Sequence, residues 1–446
     1  MLLPQAFIDQ TTALLGQQQF NEFCKALEND PVVSVRPNPF KDPEAKALKN
    51  YDIESRVEWS SSGRYLSRRP PFTLNPLFHA GAFYVQEASS MFLEQALKQC
   101  EHPLTVLDLC AAPGGKSTLL RSLLPDEALL VCNEPIRSRA LILAENIIKW
   151  GHEGCLVTSD FPRDFSKVAP IFDLVVIDAP CSGEGMFRKD NPALEMWSPI
   201  AVEQCAERQR QIINDIWPTI KQGGYIVYST CTYNTTENEN NILYMCEQLG
   251  AEAVEIDIDP KWNICQNLSD RHNLPVYRFM PHRTRGEGFC IALLRKTSDT
   301  PNTKIKTKKK FSPISTANNP LTTTDMVTLT QNETQYAIRT NDVPIIGHLI
   351  DNLHFLTMGV ALCETKGRRE IPRHELAMSR LLNRSAFPSV ELSIDKALDY
   401  LRRQAVCIDA KKGYTLITHN DLPLGFANNL GNRSNNMYPQ NWKIKH

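Results

Sequence analysis

The sequence predicts an α/β fold built on a doubly wound parallel sheet, and three observations carry that expectation. An apolar run, Val106-Leu107-Asp108-Leu109, enters a turn of small residues, Cys110-Ala111-Ala112-Pro113-Gly114-Gly115, and then a helical pattern from Lys116-Ser117. Further apolar runs at Ala128 to Cys132, Cys155 to Thr158, Leu174 to Ile177 and Tyr225 to Val227 read as buried parallel strands. These runs lead into polar ends, with Asn133-Glu134, Ser159-Asp160, Asp178 and Ser229-Thr230-Cys231 in those places. In an open α/β sheet the carboxyl ends of the strands are where ligands bind.

In chain order, Leu3 to Leu27 has helix-like apolar spacing at Phe7-Ile8, Leu14-Leu15, Phe20, Phe23 and Leu27. Val32-Val33-Ser34-Val35-Arg36-Pro37-Asn38-Pro39 then reads as a strand leading to a turn. Arg64, Arg68 and Arg69 fall beside Tyr65 and Phe72, where a solvated rim is the simpler reading and contact with a polyanion the sharper one.

The turn at 110–116 lets backbone amides approach a ligand, and the helix N-terminus behind it favours negative charge. Gly115-Lys116-Ser117 nearly completes a phosphate-binding loop, but Cys110 stands where the first glycine is due and Pro113 stiffens the segment. That departure argues against an NTPase, and no dinucleotide GxGxxG is present. Glu134 follows the loop at about twenty residues, the spacing at which an acid accepts hydrogen bonds from a ribose. A lone acid at a strand end is more often a turn residue or helix cap. Three in succession, Glu134, Asp160 and Asp178, fit a nucleoside held along the strand ends without a phosphate-dominated site. S-adenosylmethionine is such a ligand.

Cys181, in Asp178-Ala179-Pro180-Cys181-Ser182-Gly183-Glu184-Gly185, and Cys231, in Tyr228-Ser229-Thr230-Cys231-Thr232-Tyr233, are expected to point into one crevice. A thiol there is a nucleophile if its pKa is lowered, and otherwise a small core residue; the two runs alone leave both readings open.

Taken together, Asp108 to Lys116, Asn133-Glu134, Asp178 to Gly185 and Ser229 to Thr232 resemble the Nol/Nop/Sun family of RNA cytosine-5 methyltransferases. The likeness extends to Tyr84 to Met91 and to Gly286-Glu287-Gly288-Phe289, so it covers roughly residues 80 to 295. The resemblance implies that Cys110, Ala111, Ala112, Pro113, Gly114, Gly115 and Lys116 wrap the methionine end of S-adenosylmethionine. It likewise implies that Glu134 binds the ribose, Asp160 the adenine, and that Asp178 lies between cofactor and target base. It places the nucleophile on Cys231 and resolution of the covalent intermediate on Cys181.

The chemistry explains the thiol. Carbon 5 of cytosine is too weak a nucleophile to take a methyl group directly, whereas thiolate addition at carbon 6 makes an enamine whose carbon 5 can. Asp178 is expected to hydrogen bond on the ring-nitrogen side of the base. Free cysteine has a pKa of about 8.5, so the pocket must favour thiolate, through the cofactor's sulfonium or through Lys116. Transfer to an exocyclic amine commonly uses an Asn/Asp-Pro-Pro-Tyr run, and here that strand end reads Asp178-Ala179-Pro180-Cys181. A non-catalytic RNA-binding assembly factor on the same fold would need neither cysteine.

Length and composition fit this picture. A chain of 446 residues allows two to four domains. The 13 cysteines form no CxxC pair, so no metal is expected, and they suit a reducing cytosol. No secretory pattern or membrane-length apolar stretch is present, and the expectation is a cytoplasmic monomer. Lys296 to His446 carries 21 Lys+Arg against 13 Asp+Glu, a net of +8, which leaves −9 for residues 1–295. Attraction for a polyanion therefore belongs to the C-terminal third. Lys304, Lys306, Lys308, Lys309 and Lys310 sit in a Ser/Thr/Asn/Pro-rich stretch read as a flexible basic linker.

Beyond it, Leu349 to Leu362 and Ala397 to Leu401 have apolar positions, and Leu376, Leu381 and Leu382 suggest a short helix with Arg373, Arg380 and Arg384 on its polar side. The glycine- and asparagine-rich end, Leu422 to Arg433 and Asn436 to Pro439, reads as turn-rich strands. It resembles the RNA-binding C-terminal module of bacterial family members that act on small-subunit ribosomal RNA. The expected organisation is an N-terminal RNA-recognition-like module at 1–75, a Rossmann-like class I methyltransferase core at 76–297, a linker at 298–330 and a PUA-like α+β module at 331–446. The core is expected to have seven strands, one reversed, and the substrate to be 16S rRNA, with transfer RNA the alternative.

Overall fold

A computed structural model describes residues 2–189, 191–269, 273–300 and 319–445. The chain opens with a helical hairpin, α1 Gln5–Leu15 and α2 Gln17–Leu27, rather than one continuous helix. The break is Gly16, whose φ of 78° only glycine adopts without strain. Strands β1 Val33–Pro37, β2 Ile53–Arg56, β3 Arg64–Leu66 and β4 Phe83–Val85 follow, with α3 Pro76–His79 before the last. They form an antiparallel sheet in the order β2-β3-β1-β4. Arg68 and Arg69 are exposed on its rim and Arg64 is half-buried, with the Arg69 guanidinium 5.6 Å over the Phe72 ring.

The core begins with α4 Leu93–Lys98 and then alternates: β5 Thr105–Asp108, α5 Gly115–Leu123, β6 Leu129–Asn133, α6 Arg137–Trp150, β7 Cys155–Thr158 and β8 Phe172–Asp178. After α7 Asn191–Met196 and α8 Pro199–Ile216 come β9 Ile220–Thr230, α9 Glu239–Leu249, β10 Ala251–Val254, β11 Tyr277–Phe279 and β12 Phe289–Lys296. The expected seven strands stand in the order β7-β6-β5-β8-β9-β12-β10, the first five parallel and β12 reversed.

The sheet nevertheless has nine strands, not seven. β11 pairs with β12, and β15 Phe355–Met358, from far down the chain, pairs antiparallel with β7. Without β15 the outer backbone groups of β7 would form an open edge. Apolar side chains fill both faces of this sheet, Val106, Leu130, Val157 and Val176 on one and Leu107, Val131, Leu156 and Val175 on the other.

The lysines at 304, 306, 308, 309 and 310 lie outside the described residues. The described chain resumes at Asn319, and Thr322 pairs in an isolated bridge with Leu382. Strand β13 Val327–Gln331 then precedes β14 Thr334–Ile338, α10 Val343–Ile350, β16 Val360–Lys366 and β17 Arg369–Pro372, in a sheet ordered β13-β14-β16-β17. Leu329, Ile338, Ile346, Leu349, Leu353 and Met358 are buried in the same apolar cluster as the outer face of the core.

The helix expected around Leu376 to Leu382 is confined to α11 His374–Met378. Arg380 leaves the helical path because its guanidinium is held by Asp126 at 2.9–3.0 Å and by Glu153 at 2.7–2.8 Å, both on the core. The last sheet, ordered β18-β19-β20-β21, comprises β18 Ser389–Glu391, β19 Gly413–His419, β20 Leu422–Asn429 and β21 Ser434–Asn436, with α12 Ile394–Leu401 packed through Ala397, Tyr400 and Leu401. Among the described residues no helix is long and apolar enough to cross a membrane.

Candidate active site

The polar strand ends meet along one edge of the core sheet. Asn133, at the end of β6, ties three of them together. Its amide nitrogen donates to the carbonyls of Leu109 and Asp160 at 3.1 and 2.9 Å, and its oxygen accepts from Thr158 Oγ1 and the Asp160 N–H at 2.8 and 3.1 Å. A buried amide spends all its hydrogen-bonding capacity here on holding β5, β6 and β7 in register at their ends.

The loop from Cys110 to Gly114 joins β5 to α5. Gly114, with φ 112°, opens the helix, and the Ala112–Pro113 peptide is cis. The Ala111 N–H donates to the Asn133 carbonyl at 2.8 Å, while Arg139 and Asn146 of α6 donate to the Ala112 and Pro113 carbonyls at 3.1 and 2.8 Å. Burial and the acids Asp108, Asp178 and Glu134 push the Cys110 thiol up, so it stays protonated. Glu134 is 2% exposed; one oxygen accepts from the Ile136 N–H at 3.0 Å and the other lies 3.5 Å from Arg139. Asp160 is 1% exposed and both its oxygens face His354.

Asp108 ends β5 entirely buried. One oxygen accepts from Ser117 Oγ at 2.6 Å and the other has no hydrogen-bond partner. Burial raises its pKa to about 7, helped by Asp178 and opposed by Ser117. A buried, unpartnered carboxyl oxygen beside the 110–114 loop is a place for a ligand donor. The sequence signal for it was its position at a strand end in the apolar run, which by itself reads as core.

At the end of β8, Asp178 accepts from Ser229 Oγ at 2.8 Å and pairs with Lys116 Nζ at 2.8 Å. Burial opposes the Lys116 charge, but Asp178, Asp108 and Cys231 outweigh it, so its pKa is raised and the ammonium persists. Its Nζ also lies 5.0 Å from the centre of the Phe289 ring.

The two cysteines do face each other. Their Sγ atoms are 3.2 Å apart, and the Cys231 N–H donates to Cys181 Sγ at 3.3 Å. The hydrogen bond with Cys231, burial and Glu237 drive the Cys181 pKa well above the usual thiol value. Cys181 therefore keeps its proton, and its S–H lies within reach of Cys231 Sγ.

Two buried glutamates that the sequence did not single out fix the cysteine loops. Glu184 accepts from the N–H groups of Tyr233 and Asn234 at 2.7 and 3.0 Å and from Trp197 Nε1 at 3.1 Å. Glu237 accepts from the Ser182 N–H at 3.0 Å and from Gln209 at 2.7 Å. Each carboxylate thus crosses from one cysteine loop to the other. Gly185 donates its N–H to the Cys231 carbonyl at 2.8 Å and lies so close to the Gly288 backbone that a Cβ there would sit 2.6 Å from the Gly288 carbonyl oxygen. The helical hairpin backs the arrangement: Phe7, Phe20 and Phe23 are buried with Phe187, Trp197 and Tyr233.

All twelve residues singled out from the sequence thus lie on this edge, and among the described residues no group of three or more His, Cys, Asp or Glu is placed to hold a metal ion. A rim carrying the acids Glu134 and Asp160 leads to the thiol pair and to the Lys116–Asp178 pair. That arrangement can bind a sulfonium nucleoside and bring a thiolate against an electron-poor ring.

Residues 94–295 match the family model for the 16S rRNA methyltransferase RsmB/F. Residues 3–88 match the N-terminal domain of 16S rRNA methyltransferase RsmF, and residues 387–444 the methyltransferase RsmF PUA domain. The chain is 31% identical over 472 residues to the ribosomal RNA small subunit methyltransferase F of Escherichia coli O157:H7 (strain EC4115 / EHEC), covering 98% of this chain and 96% of the relative. It is 30% identical over 473 residues to the protein of the same name from Aliivibrio fischeri (strain MJ11), covering 99% and 97%. Among solved structures, NSun6 from Pyrococcus horikoshii with SFG superposes with a TM-score of 0.57 at 21% identity, over 66% of this chain and 99% of that one. A methyltransferase homologue from Pyrococcus horikoshii gives 0.55 at 24%, over 66% and 95%.

Proposed function

The chain belongs to the 16S rRNA methyltransferase RsmB/F family, and from that premise we propose that it methylates carbon 5 of a cytosine in 16S ribosomal RNA, using S-adenosylmethionine and a covalent cysteine intermediate. The observation that carries the reading is the thiol pair, 3.2 Å apart, at the ends of β8 and β9, where Asp178 also pairs with Lys116 at 2.8 Å. A nucleoside donor without phosphates fits the acids Glu134 and Asp160 and the 110–116 segment, where an unpartnered Asp108 oxygen awaits a donor. When bound, S-adenosylmethionine supplies the methyl group.

The chain's own residues then divide the work. Cys231, as thiolate, adds to carbon 6 of an unstacked cytosine, and the ring's electron pair becomes available at carbon 5. The Lys116 ammonium favours the anionic sulfur by its charge. Asp178, in its protonated form, would donate its proton to the ring nitrogen as the thiolate adds and take it back as the thiolate leaves, which keeps the ring neutral in between. Once carbon 5 carries the methyl group, it loses its proton to water, and the carbon 6–sulfur bond breaks with its electrons returning to Cys231. The Cys181 S–H hydrogen bonds to the departing sulfur and so stabilises the leaving thiolate. Glu184 and Glu237 keep the two sulfurs at this separation.

The test uses RNA carrying 5-fluorocytosine, whose fluorine blocks release. The unaltered protein is expected to give a denaturation-resistant adduct that Cys231→Ser does not give. Cys181→Ala is expected to accumulate an adduct on ordinary RNA, dependent on S-adenosylmethionine, because elimination stalls. An adduct that persists in Cys231→Ser and vanishes in Cys181→Ala would reverse the two roles. Bisulfite sequencing of ribosomal and transfer RNA from a strain lacking the gene, with loss of a single cytosine mark in 16S rRNA expected, fixes the substrate.

A further inference from the structure

We propose that His354, contributed by the C-terminal part of the chain, is a positioning residue for the adenine end of the methyl-donor site, so that donor affinity and base selectivity depend on a segment outside the core. The inference rests on the reading of the strand-end acids as a nucleoside site. His354 immediately precedes β15, the strand that closes the β7 edge. Its backbone N–H donates to one Asp160 oxygen at 2.9 Å, and its ring Nδ1 meets the other at 2.7 Å. Its carbonyl accepts from the Ser159 N–H at 3.0 Å, so residue 354 brackets the end of β7 on both sides.

A carboxylate only accepts, which makes Nδ1 the protonated ring nitrogen. The imidazole is 86% exposed while the acid it holds is 1% exposed. An exposed side chain gains little stability from such a bond, since ordering it costs about what one hydrogen bond returns. Its effect falls on Asp160 instead: with one donor on each oxygen, the carboxylate plane is fixed and each oxygen keeps one lone pair for a ligand. An exocyclic amine is a donor that uses such a lone pair, and a carbonyl in its place does not. Ile136 and Phe161, 48% and 47% exposed, stand one or two residues from Glu134 and Asp160, where the faces of a purine would cover them. No local sequence signal reveals the partnership, because 194 residues separate His354 from Asp160.

The experiment measures binding to the full-length protein by calorimetry, without RNA, for S-adenosylmethionine, S-adenosylhomocysteine and S-inosylhomocysteine, in which a carbonyl replaces the amine. His354→Ala is expected to raise Kd for both adenine ligands by about five- to tenfold, the worth of one lost donor. The preference for S-adenosylhomocysteine over S-inosylhomocysteine is expected to fall by a similar factor. His354→Asn, whose amide can reach Asp160, is expected to stay within about twofold of the unaltered protein. Melting temperature, and turnover at saturating donor, are expected to hold in both. Unaltered affinity and preference in His354→Ala would overturn the proposal, as would a loss of affinity that tracks a fall in melting temperature and is not rescued by asparagine. If the unaltered protein binds no S-adenosylmethionine, the methyl-donor reading falls and this one with it; if it binds and His354→Ala binds equally well, this one falls alone.

Discussion

A carboxyl group sealed at the end of a central strand must settle its own protonation, and Asp108 does so at the expense of stability. Its pKa stands at about 7 against an ordinary value near 3.8, chiefly through burial. The folded state therefore holds the proton more tightly than the unfolded one. The stability linked to it is fully present below the ordinary value and is lost as pH rises through about 7. The loss is on the order of 4 kcal/mol at its upper limit. Asp108→Asn keeps an acceptor for Ser117 and cannot ionise, so its advantage over the unaltered protein is expected to grow by about 2–3 kcal/mol between pH 5 and pH 8, in urea unfolding without ligand. A difference independent of pH would show that the carboxyl stays ionised in the fold. The case marks what the sequence could tell at this scale. Positions of Cys181, Cys231, Glu134, Asp160 and Asp178 were legible because strand ends follow from local apolar runs. Their partners were not: Lys116 on Asp178, Glu237 on Ser182 and His354 on Asp160 come from elements brought together only by tertiary packing.

Between elements, the helix that follows the 110–114 loop is braced from outside the core sheet. Arg36, the fourth residue of β1, is fully buried and spans to α5, donating to Thr118 Oγ1 at 2.8 Å, Gln86 Oε1 at 3.0 Å and Ser122 Oγ at 3.3 Å. Its guanidinium lies 4.7 Å from the centre of the Trp150 ring, and burial lowers its pKa to about 9. It stays charged at neutral pH without a carboxylate partner in hydrogen-bond contact, so desolvation and hydrogen bonding oppose each other directly. Arg36→Ala removes the stem from Trp150 and leaves Gln86 without its donor, with an expected loss of about 3 kcal/mol in chemical unfolding. Arg36→Met keeps most of the stem and is expected to lose only about 1 kcal/mol. A methionine variant more stable than the unaltered protein would show that desolvation wins. Nothing in the run Val32 to Pro39, read as a strand leading to a turn, marks Arg36 as buried, because its partners lie on α5, on Gln86 and on Trp150. Sequence reading did find every parallel core strand, because runs such as Leu174 to Ile177 have no polar alternative. It missed β15, whose Phe355-Leu356-Thr357-Met358 becomes a strand only against the open edge of β7. It overextended α11, because Arg380 on the polar face is claimed by Asp126 and Glu153 rather than by solvent.

For the molecule as a whole, the charge split between the two parts of the chain has to be tested without dividing them. Six apolar side chains from Leu329 to Met358 are buried against the core, each worth roughly 1.5–3 kcal/mol. Their sum rivals the entire stability of a typical domain, about 5–15 kcal/mol. A cut after Lys296 would thus uncover the core and the β7 edge, and any loss of RNA binding would report unfolding. Point changes avoid this. Pairing of Gly413 with Asn429, and of Asn429 with Ser434, gathers exposed Lys411, Lys412 and Arg433 at one end of the last sheet. If these three meet phosphates of the substrate RNA, replacing all of them by glutamine releases about three fewer counterions on binding. The slope of log affinity against log salt should then flatten by about 2, taking roughly 0.7 for each contact with single strands. Donor affinity and melting temperature should hold, because none of the three lies at the strand-end site. Filter binding of 16S rRNA fragments across a salt series reads the slope, and an unchanged slope would move the RNA path to the basic rim at Arg64, Arg68 and Arg69.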